Sequence, residues 1–293
     1  MSSNSRDVGQ GASLPAVTAA DGNVHSQFGE DRILAELLAL LPDRNGWCVE
    51  FGAWDGQHFS NTLHLIEAAG YEGVMIEVET DRFAALQLLA QRLPGLHPVQ
   101  RMVGWEGPDR LDAVLGELPV PRDFDVLSID IDGNDFHVWY AFCDYRPKIV
   151  IIEFNPTIPS EVEYIQPADP AVQQGTSIAS LVALGREKGY ELAAVTTCNA
   201  ILVDELHFNL LGVEDNSLRT LRAETPAVTW MFTGYDGSVH LAGAQWLPWH
   251  DAPMRVGKAS QVPRALQAYP DEMGSLRKAV WRFWCGWRRW RVA

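Results

Sequence analysis

From residue 27 to about residue 205, short continuous apolar runs alternate with longer stretches in which apolar residues recur every three or four positions. The runs GWCVEFGA, EGVMIEV, HPVQRMV, DFDVLSIDID and PKIVIIEFN predict strands buried on both faces, because no polar alternation marks a solvent side. Between them GEDRILAELLALL, SNTLHLIEAAG, DRFAALQLLAQRL, GPDRLDAVLGEL, NDFHVWYAFCD and TSIASLVALGREKGY predict helices. Ser60 or Asn61 caps the second of these and Gly70 stops it; Asp81 opens the third, Pro108 lies near the start of the fourth, and Thr176 caps the last. ELAAVTT and NAILVD make a hairpin-like closing pair. Repeated strand-then-helix units specify an α/β fold, a Rossmann-like doubly wound and mostly parallel sheet with helices on both faces. Ligands of such sheets bind beyond the carboxyl ends of the strands, where the strand order reverses. The residues just past each strand therefore carry the candidate chemistry.

Residues 206–273 break the rhythm, being rich in Gly, Pro and Trp, and are expected to form an appendage or lid packed on the same domain. The expected organisation is a flexible leader over 1–24, a ligand-binding domain over 25–205, the appendage, and a tail over 274–293. That tail, GSLRKAVWRFWCGWRRWRVA, holds six Lys or Arg and no acid. On a helical wheel Leu276, Val280, Phe283, Trp287 and Trp290 share one face, while Arg277, Lys278, Arg282, Arg288 and Arg289 fall mostly on the other. Such a helix fits peripheral contact with a membrane, at its inner face, and equally fits docking on the chain's own acidic body or on a second subunit of a homo-oligomer. The 293-residue chain carries a net charge of −15, so nucleic acid is not expected as a partner: its phosphates would be repelled. No apolar run approaches the roughly 18 residues that a membrane-crossing helix needs, and the first residues lack the apolar centre of a signal peptide. Cys48, Cys143, Cys198 and Cys285 are scattered without a CxxC pair, as expected of reduced thiols in a cytoplasmic protein.

Past the first strand comes Glu50-Phe51-Gly52-Ala53-Trp54-Asp55-Gly56. Glycine lets a backbone approach a ligand without a Cβ between them. A pyrophosphate-binding loop would read GxGxxG; here a GxxxG carries acids at Glu50 and Asp55. Acids repel phosphate and suit a sulfonium and an α-ammonium group, which points to S-adenosylmethionine and away from NAD. Glu77 ends the second strand, 21 residues after Gly56, where a carboxylate can accept bonds from both ribose hydroxyls; it follows directly on the apolar run and is favoured over Glu79.

The fourth strand runs into Ser128-Ile129-Asp130-Ile131-Asp132-Gly133-Asn134-Asp135, and strand alternation would send Asp130 and Asp132 to one face. The neighbouring fifth strand ends in Glu153-Phe154-Asn155. So many oxygens are costly to bury unless a cation or a hydrogen-bond partner meets them. Asp130, Asp132, Glu153 and Asn155 fit Mg²⁺, Mn²⁺ or Ca²⁺; alternatively Asp130 or Asp132 binds the ammonium group of the cofactor. His58 and His137 are candidate general bases, His64 is expected to be structural, and His250 lies in the appendage. Trp54, Trp105, Trp139, Trp246 and Trp249 could stack on a base or a sugar, although most will be core.

As a set VEFGAWDG, GVMIEVETDRF, LSIDIDGND and IIEFNP, with SQFGEDRIL and QQGTSIASLVALGREKGYEL, resemble the FkbM-type S-adenosylmethionine-dependent methyltransferases over roughly residues 25–205. The resemblance implies a seven-stranded sheet with a reversed last strand and O-methylation of sugars or natural products. It implies that Gly52, Ala53 and Gly56 line the methionine end, Glu77 the ribose, and Asp130 the sulfonium or amino-acid end. The chain departs from the commoner KIDVEG-like run in having SIDIDG, with Ser128 for lysine and Asp132 for glutamate. It also resembles metal-dependent catechol-type methyltransferases in its acids after the fourth and fifth strands. Their lysine base is replaced by Gly133, so deprotonation would fall to water, His58, His137 or a carboxylate such as Asp132. The expected function is methyl transfer from S-adenosylmethionine to a hydroxyl of a glycan or small polar metabolite. A non-catalytic binding module, or an NAD-dependent oxidoreductase, on the same fold are the alternatives.

Overall fold

The computed structural model describes residues 23–223, 225–258 and 261–292, which fall into two compact units divided after Ala223. Most of the expected leader, residues 1–22, lies outside the described residues.

The first unit runs α1 (Glu30–Leu40), β1 (Trp47–Phe51), α2 (Leu63–Ala69), β2 (Glu72–Glu77), α3 (Thr80–Ala90), β3 (Leu96–Gln100), α4 (Leu111–Gly116), β4 (Val126–Ile129), α5 (Asp135–Ala141), β5 (Ile149–Glu153), α6 (Ile178–Glu187), β6 (Tyr190–Val195), β7 (Asn199–Asp204), α7 (Glu205–Phe208) and α8 (Leu218–Leu221). Seven strands form one sheet in the order β3-β2-β1-β4-β5-β7-β6. β1 to β5 pair in parallel, and β7 runs antiparallel to both β5 and β6. This is the expected Rossmann-like sheet with its last strand reversed. The order turns back between β1 and β4, so the crevice beyond those two strands is the place where such a fold binds ligands.

Strand residues alternate between two apolar layers. Val49, Phe51, Val74, Ile76, Leu127, Ile129, Val150 and Ile152 pack with α4, α5 and α6. Cys48, Met75, Val126, Ile149, Ile151 and Ile201 pack with α1, α2 and α3. By the same period of two, Glu50, Glu77, Ser128, Glu153 and Asn199 belong to the α1–α3 face, near its carboxyl edge. Helix ends differ from expectation in detail. Thr62 precedes α2 without a cap bond of its own, while Ser60 Oγ accepts from Leu63 N at 3.0 Å and Gly70 stops the helix at φ 70°. Thr80, not Asp81, opens α3. Ser177, not Thr176, caps α6, its Oγ accepting from Ser180 N at 3.2 Å.

Residues 206–223 belong with the first unit and not with the expected appendage. The physical reason is burial: Leu211 joins the α1–α3 layer, Leu218 and Leu221 pack against the other, and the Arg222 guanidinium donates to Pro156 O, Ile158 O and Ser160 Oγ. The second unit contains the antiparallel pair β8 (Thr229–Thr233) and β9 (Val239–Gly243), the short pair β10 (Trp246–Leu247) and β11 (Ala252–Pro253), and the long α9 (Ser275–Val292). The tail thus belongs to the same unit as most of the appendage. Among the described residues no helix is long and apolar enough to cross a membrane.

Candidate functional site

The loop after β1 is built on carboxylates. Glu50 is 5% exposed and lies beneath the segment that leads into α2. Its Oε2 accepts from Ser60 Oγ (2.7 Å), Thr62 Oγ1 (2.5 Å) and Thr62 N (3.2 Å), and its Oε1 from Asn61 N (3.1 Å). Burial raises its pKa although each of these bonds pulls the other way. Glu50 therefore does not rim a cavity as the sequence suggested. It is an internal strut, because a strand residue of its parity faces α2. Glu77, 4% exposed, does the same for the neighbouring turn: Oε2 accepts from Trp54 N (2.9 Å) and Oε1 from Glu79 N (2.7 Å). Asp55 closes the loop on itself, its Oδ1 accepting from Gln57 N and His58 N.

The glycines serve close packing. Gly52 has φ 74°, and a Cβ there would lie 1.6 Å from the backbone oxygen of Asp130. A Cβ on Gly56 would lie 2.6 Å from Leu86 Cδ1 and 2.9 Å from Leu89 Cδ2 of α3. Their small size draws the β1 loop onto the end of β4 and onto α3; the sequence had assigned both to a ligand. Ala53 is buried beside them. Trp54 and Phe59 hold left-handed backbone at φ 51° and 57° yet are about half exposed. Large residues seldom adopt that conformation, and it persists only where surrounding structure enforces it. The Arg82 guanidinium sits 4.1 Å from the Trp54 ring centroid, and the exposed His58 ring lies between Trp54 and Phe59.

Across the crevice, Asp130, Asp132 and Glu153 bring carboxylate oxygens within 4.8 Å of one another. β4 ends at Ile129, so Asp132 is not a strand residue facing with Asp130; a left-handed turn at φ 56° brings it back to the cluster. Burial first, then repulsion from neighbouring carboxylates, raises the pKa of both Asp130 and Glu153. No Lys, Arg or His forms an ion pair with any of the three among the described residues.

Two expected partners stand apart. Asn155 spends its amide oxygen on Thr157 N (2.9 Å) and Thr157 Oγ1 (2.6 Å), and its amide nitrogen on Gln174 O. It shapes its own turn and has no oxygen turned to the acids. His137 Nε2 lies 2.8 Å from Gln166 O, a contact in which the ring must donate, so His137 fastens the segment after β5 through that nitrogen. Trp139 is core at 1% exposed. Trp105 packs near His137, and Trp246, Trp249 and His250 belong to the second unit.

Several organising residues gave little sequence signal. Asp135 is buried and accepts from Ile131 N and Gly133 N, which holds the turn carrying Asp132. Gln166, 1% exposed, ties 166–175 together through Val172 O, Gln174 N and Gly175 N. Glu30, fully buried, accepts from Asn199 Nδ2 and Thr196 Oγ1 at the β6–β7 turn. Two acids side by side, Glu30 and Asp31, at the start of α1 were the visible cue to the last.

No protein-family model matches the chain and no curated protein matches it, so the FkbM-type resemblance rests on its motifs alone. Among solved structures it is similar to the N-terminal domain of EvdMO1 with SAH bound, at 12% identity over 60% of this chain and 80% of that one, with a TM-score of 0.40. It is similar to magnesium protoporphyrin IX methyltransferase (ChlM) from Synechocystis PCC 6803 with bound SAH, at 15% identity, 60% and 81% coverage and a TM-score of 0.40. A SAM-dependent methyltransferase from Aquifex aeolicus gives 10% identity, 59% and 87% coverage and a TM-score of 0.37. Likeness at this level carries no functional weight.

Proposed function

We propose that the chain is an S-adenosylmethionine-dependent methyltransferase acting on a hydroxyl of a polar acceptor such as a sugar or a natural-product metabolite. The observation that carries this reading is the trio Asp130, Asp132 and Glu153, which has no counter-cation among the described residues and lies beside the crevice where the strand order turns. Buried like charges are costly unless a cation meets them. A ligand bearing a sulfonium and an ammonium group meets that need, whereas a pyrophosphate would add to the repulsion.

Bound there, the cofactor supplies an electrophilic methyl group. Asp130 and Glu153 would face its positive charge, and Glu77, which spends one bond per oxygen on backbone amides, keeps lone pairs for ribose hydroxyls. The work left to the chain is to hold the acceptor oxygen in line with the methyl carbon. Methyl transfer to the acceptor oxygen would release the hydroxyl proton, which needs an acceptor on this chain. Asp132, exposed and brought to the cluster by its turn, fits that role, with His58 in the facing loop as the second candidate. The same three carboxylates also suit Mg²⁺ or Mn²⁺, whose Lewis acidity would lower the hydroxyl pKa.

Isothermal titration tests the proposal. S-adenosylmethionine and S-adenosylhomocysteine should bind, NADH should not, and Asp130→Ala should weaken binding about tenfold or more, equivalent to about 1.4 kcal/mol. No heat with either sulfur ligand overturns it. Binding without methyl release to any hydroxyl acceptor would make the chain a binding module. Repeating turnover in chelator and in Mn²⁺ separates the metal-assisted form from the metal-free one.

A further inference from the structure

α9 is the most unusual surface of the molecule. Leu276, Phe283 and Trp290 are 81%, 78% and 77% exposed, and Val280 and Trp287 lie with them on the same stripe. At helical spacing these five fall within an arc of about 80°. Arg277, Arg288 and Arg291 flank the arc on one side, and Lys278, Arg282 and Arg289 lie about 120–160° from its centre, toward the opposite face. Between Phe283, Gly286, Trp287 and Trp290 the missing glycine side chain leaves a shallow depression of about 360 Å³. Of the six cations only Lys278 forms an ion pair among the described residues, with Asp271 at 3.3 Å. Arg291 and Arg288 lie over the rings of Trp287 and Trp284.

We propose that α9 docks flat on the surface of an anionic lipid bilayer, with its Leu/Phe/Trp stripe in the acyl boundary and its basic residues toward the headgroups. Charge complementarity selects this occupant over the others. A second copy of α9 would suit the 4-3-4-3 spacing of the stripe. It would, however, set rows of cations against rows of cations, with no acid between residues 274 and 293 to offset them. A nucleic acid has no use for the apolar stripe and would meet a remainder of the chain at −21, once the six cations are set apart from the total of −15. A planar anionic surface satisfies the cations and the stripe together. The helix is too basic to cross the bilayer. Acids more than about 8 Å from the lipid are largely screened at physiological salt, so the acidic remainder does not prevent contact. The proposal is independent of the methyltransferase reading.

The test is flotation of the full-length chain with vesicles of phosphatidylcholine containing roughly one-third phosphatidylglycerol, against vesicles of phosphatidylcholine alone. Binding to the anionic vesicles only, and release as salt rises to about 0.5 M, is the expected result. Arg288→Glu with Arg289→Glu should weaken binding about 100-fold or more, and Phe283→Ala, Trp287→Ala and Trp290→Ala combined should abolish it. Both variants should keep the wild-type melting temperature and oligomeric state in the absence of lipid. Absence of flotation, or equal flotation with neutral vesicles, overturns the proposal. So does a lowered melting temperature or a changed oligomeric state of the aromatic variant without lipid, which would mean that the chain itself or a second copy covers the stripe.

Discussion

Gly52 is where the crevice depends on a single hydrogen atom. A methyl group at this position would stand 1.6 Å from the Asp130 carbonyl oxygen and 2.8 Å from its carbonyl carbon, and both are backbone atoms that no rotamer change can move. Gly52→Ala therefore carries two costs. Left-handed backbone in an L-residue costs about 1–2 kcal/mol, and forcing two backbone segments apart adds about 1–3 kcal/mol. Gly46 isolates the first: its φ is also 74°, and nothing lies within 4 Å of a Cβ there. Gly46→Ala should thus cost only the backbone part. The difference of about 1–3 kcal/mol corresponds to a melting temperature for Gly52→Ala roughly 2–12 °C below that of Gly46→Ala. Scanning fluorimetry of the two variants with and without S-adenosylhomocysteine measures this directly. The ligand-induced rise should survive in Gly46→Ala and shrink in Gly52→Ala, because the displaced atoms belong to Asp130. Two variants that melt within about one degree of each other would refute the reasoning, since the β1 loop would then not rest on the end of β4.

The acid pair gives a pH signature. The pKa of Asp130 and of Glu153 is raised on folding, so the folded chain binds protons more tightly than the unfolded one; the stability this gives is present in acid and is lost as pH rises above the ordinary carboxylate range. The melting temperature should fall between about pH 6 and pH 9, and fall less in Asp130→Asn, as thermal scans in matched buffers would show. At the opposite edge of the sheet, buried Lys148 lies 2.7 Å from the fully buried Asp125; Lys148→Met should cost about 3 kcal/mol in urea titrations while leaving cofactor affinity intact. His137→Ala should cost about 1–2 kcal/mol through the lost bond to Gln166 O and leave the pH–rate profile unmoved, whereas a basic role would remove an ionisation from it.

The sheet was legible because its signal is redundant. Each run such as VLSI or IVIIE is apolar throughout, and the strand-then-helix rhythm admits few topologies, so errors of a residue or two at the caps changed nothing. The acids after β4 and β5 were legible too, since three carboxylates at adjacent strand ends have no apolar explanation. What the sequence could not convey was direction. Glu50 and Glu153 look alike as strand-ending glutamates, yet Glu50 meets Ser60, Asn61 and Thr62 while Glu153 meets the carboxylates of Asp130 and Asp132. That contrast arises from loop segments that pack from elsewhere. Gln166 and Asn155 were opaque for the same reason, since an amide in a long connection shows nothing of which backbone groups it will satisfy.

The acids of the first unit divide by this test into two sets with linked duties. Glu50, Glu77 and Asp135 accept bonds mainly from backbone N–H groups of the turns beside the crevice. Among the described residues no backbone N–H donates to Asp130, Asp132 or Glu153, which are held close to one another. A carboxylate that accepts several amide protons is a rigid anchor, since moving it would leave both itself and the amides unpaired in a buried place. The first set thus fixes the loops that hold the second set together despite its repulsion. The energy that crowds Asp130, Asp132 and Glu153 is supplied by the anchored turns around them, and a cation entering the cluster would recover it as affinity. On this argument Asp135→Asn should damage cofactor binding by releasing the 131–133 turn even though Asp135 is 3% exposed. Ser60→Ala should do less, because Glu50 retains both Thr62 and Asn61.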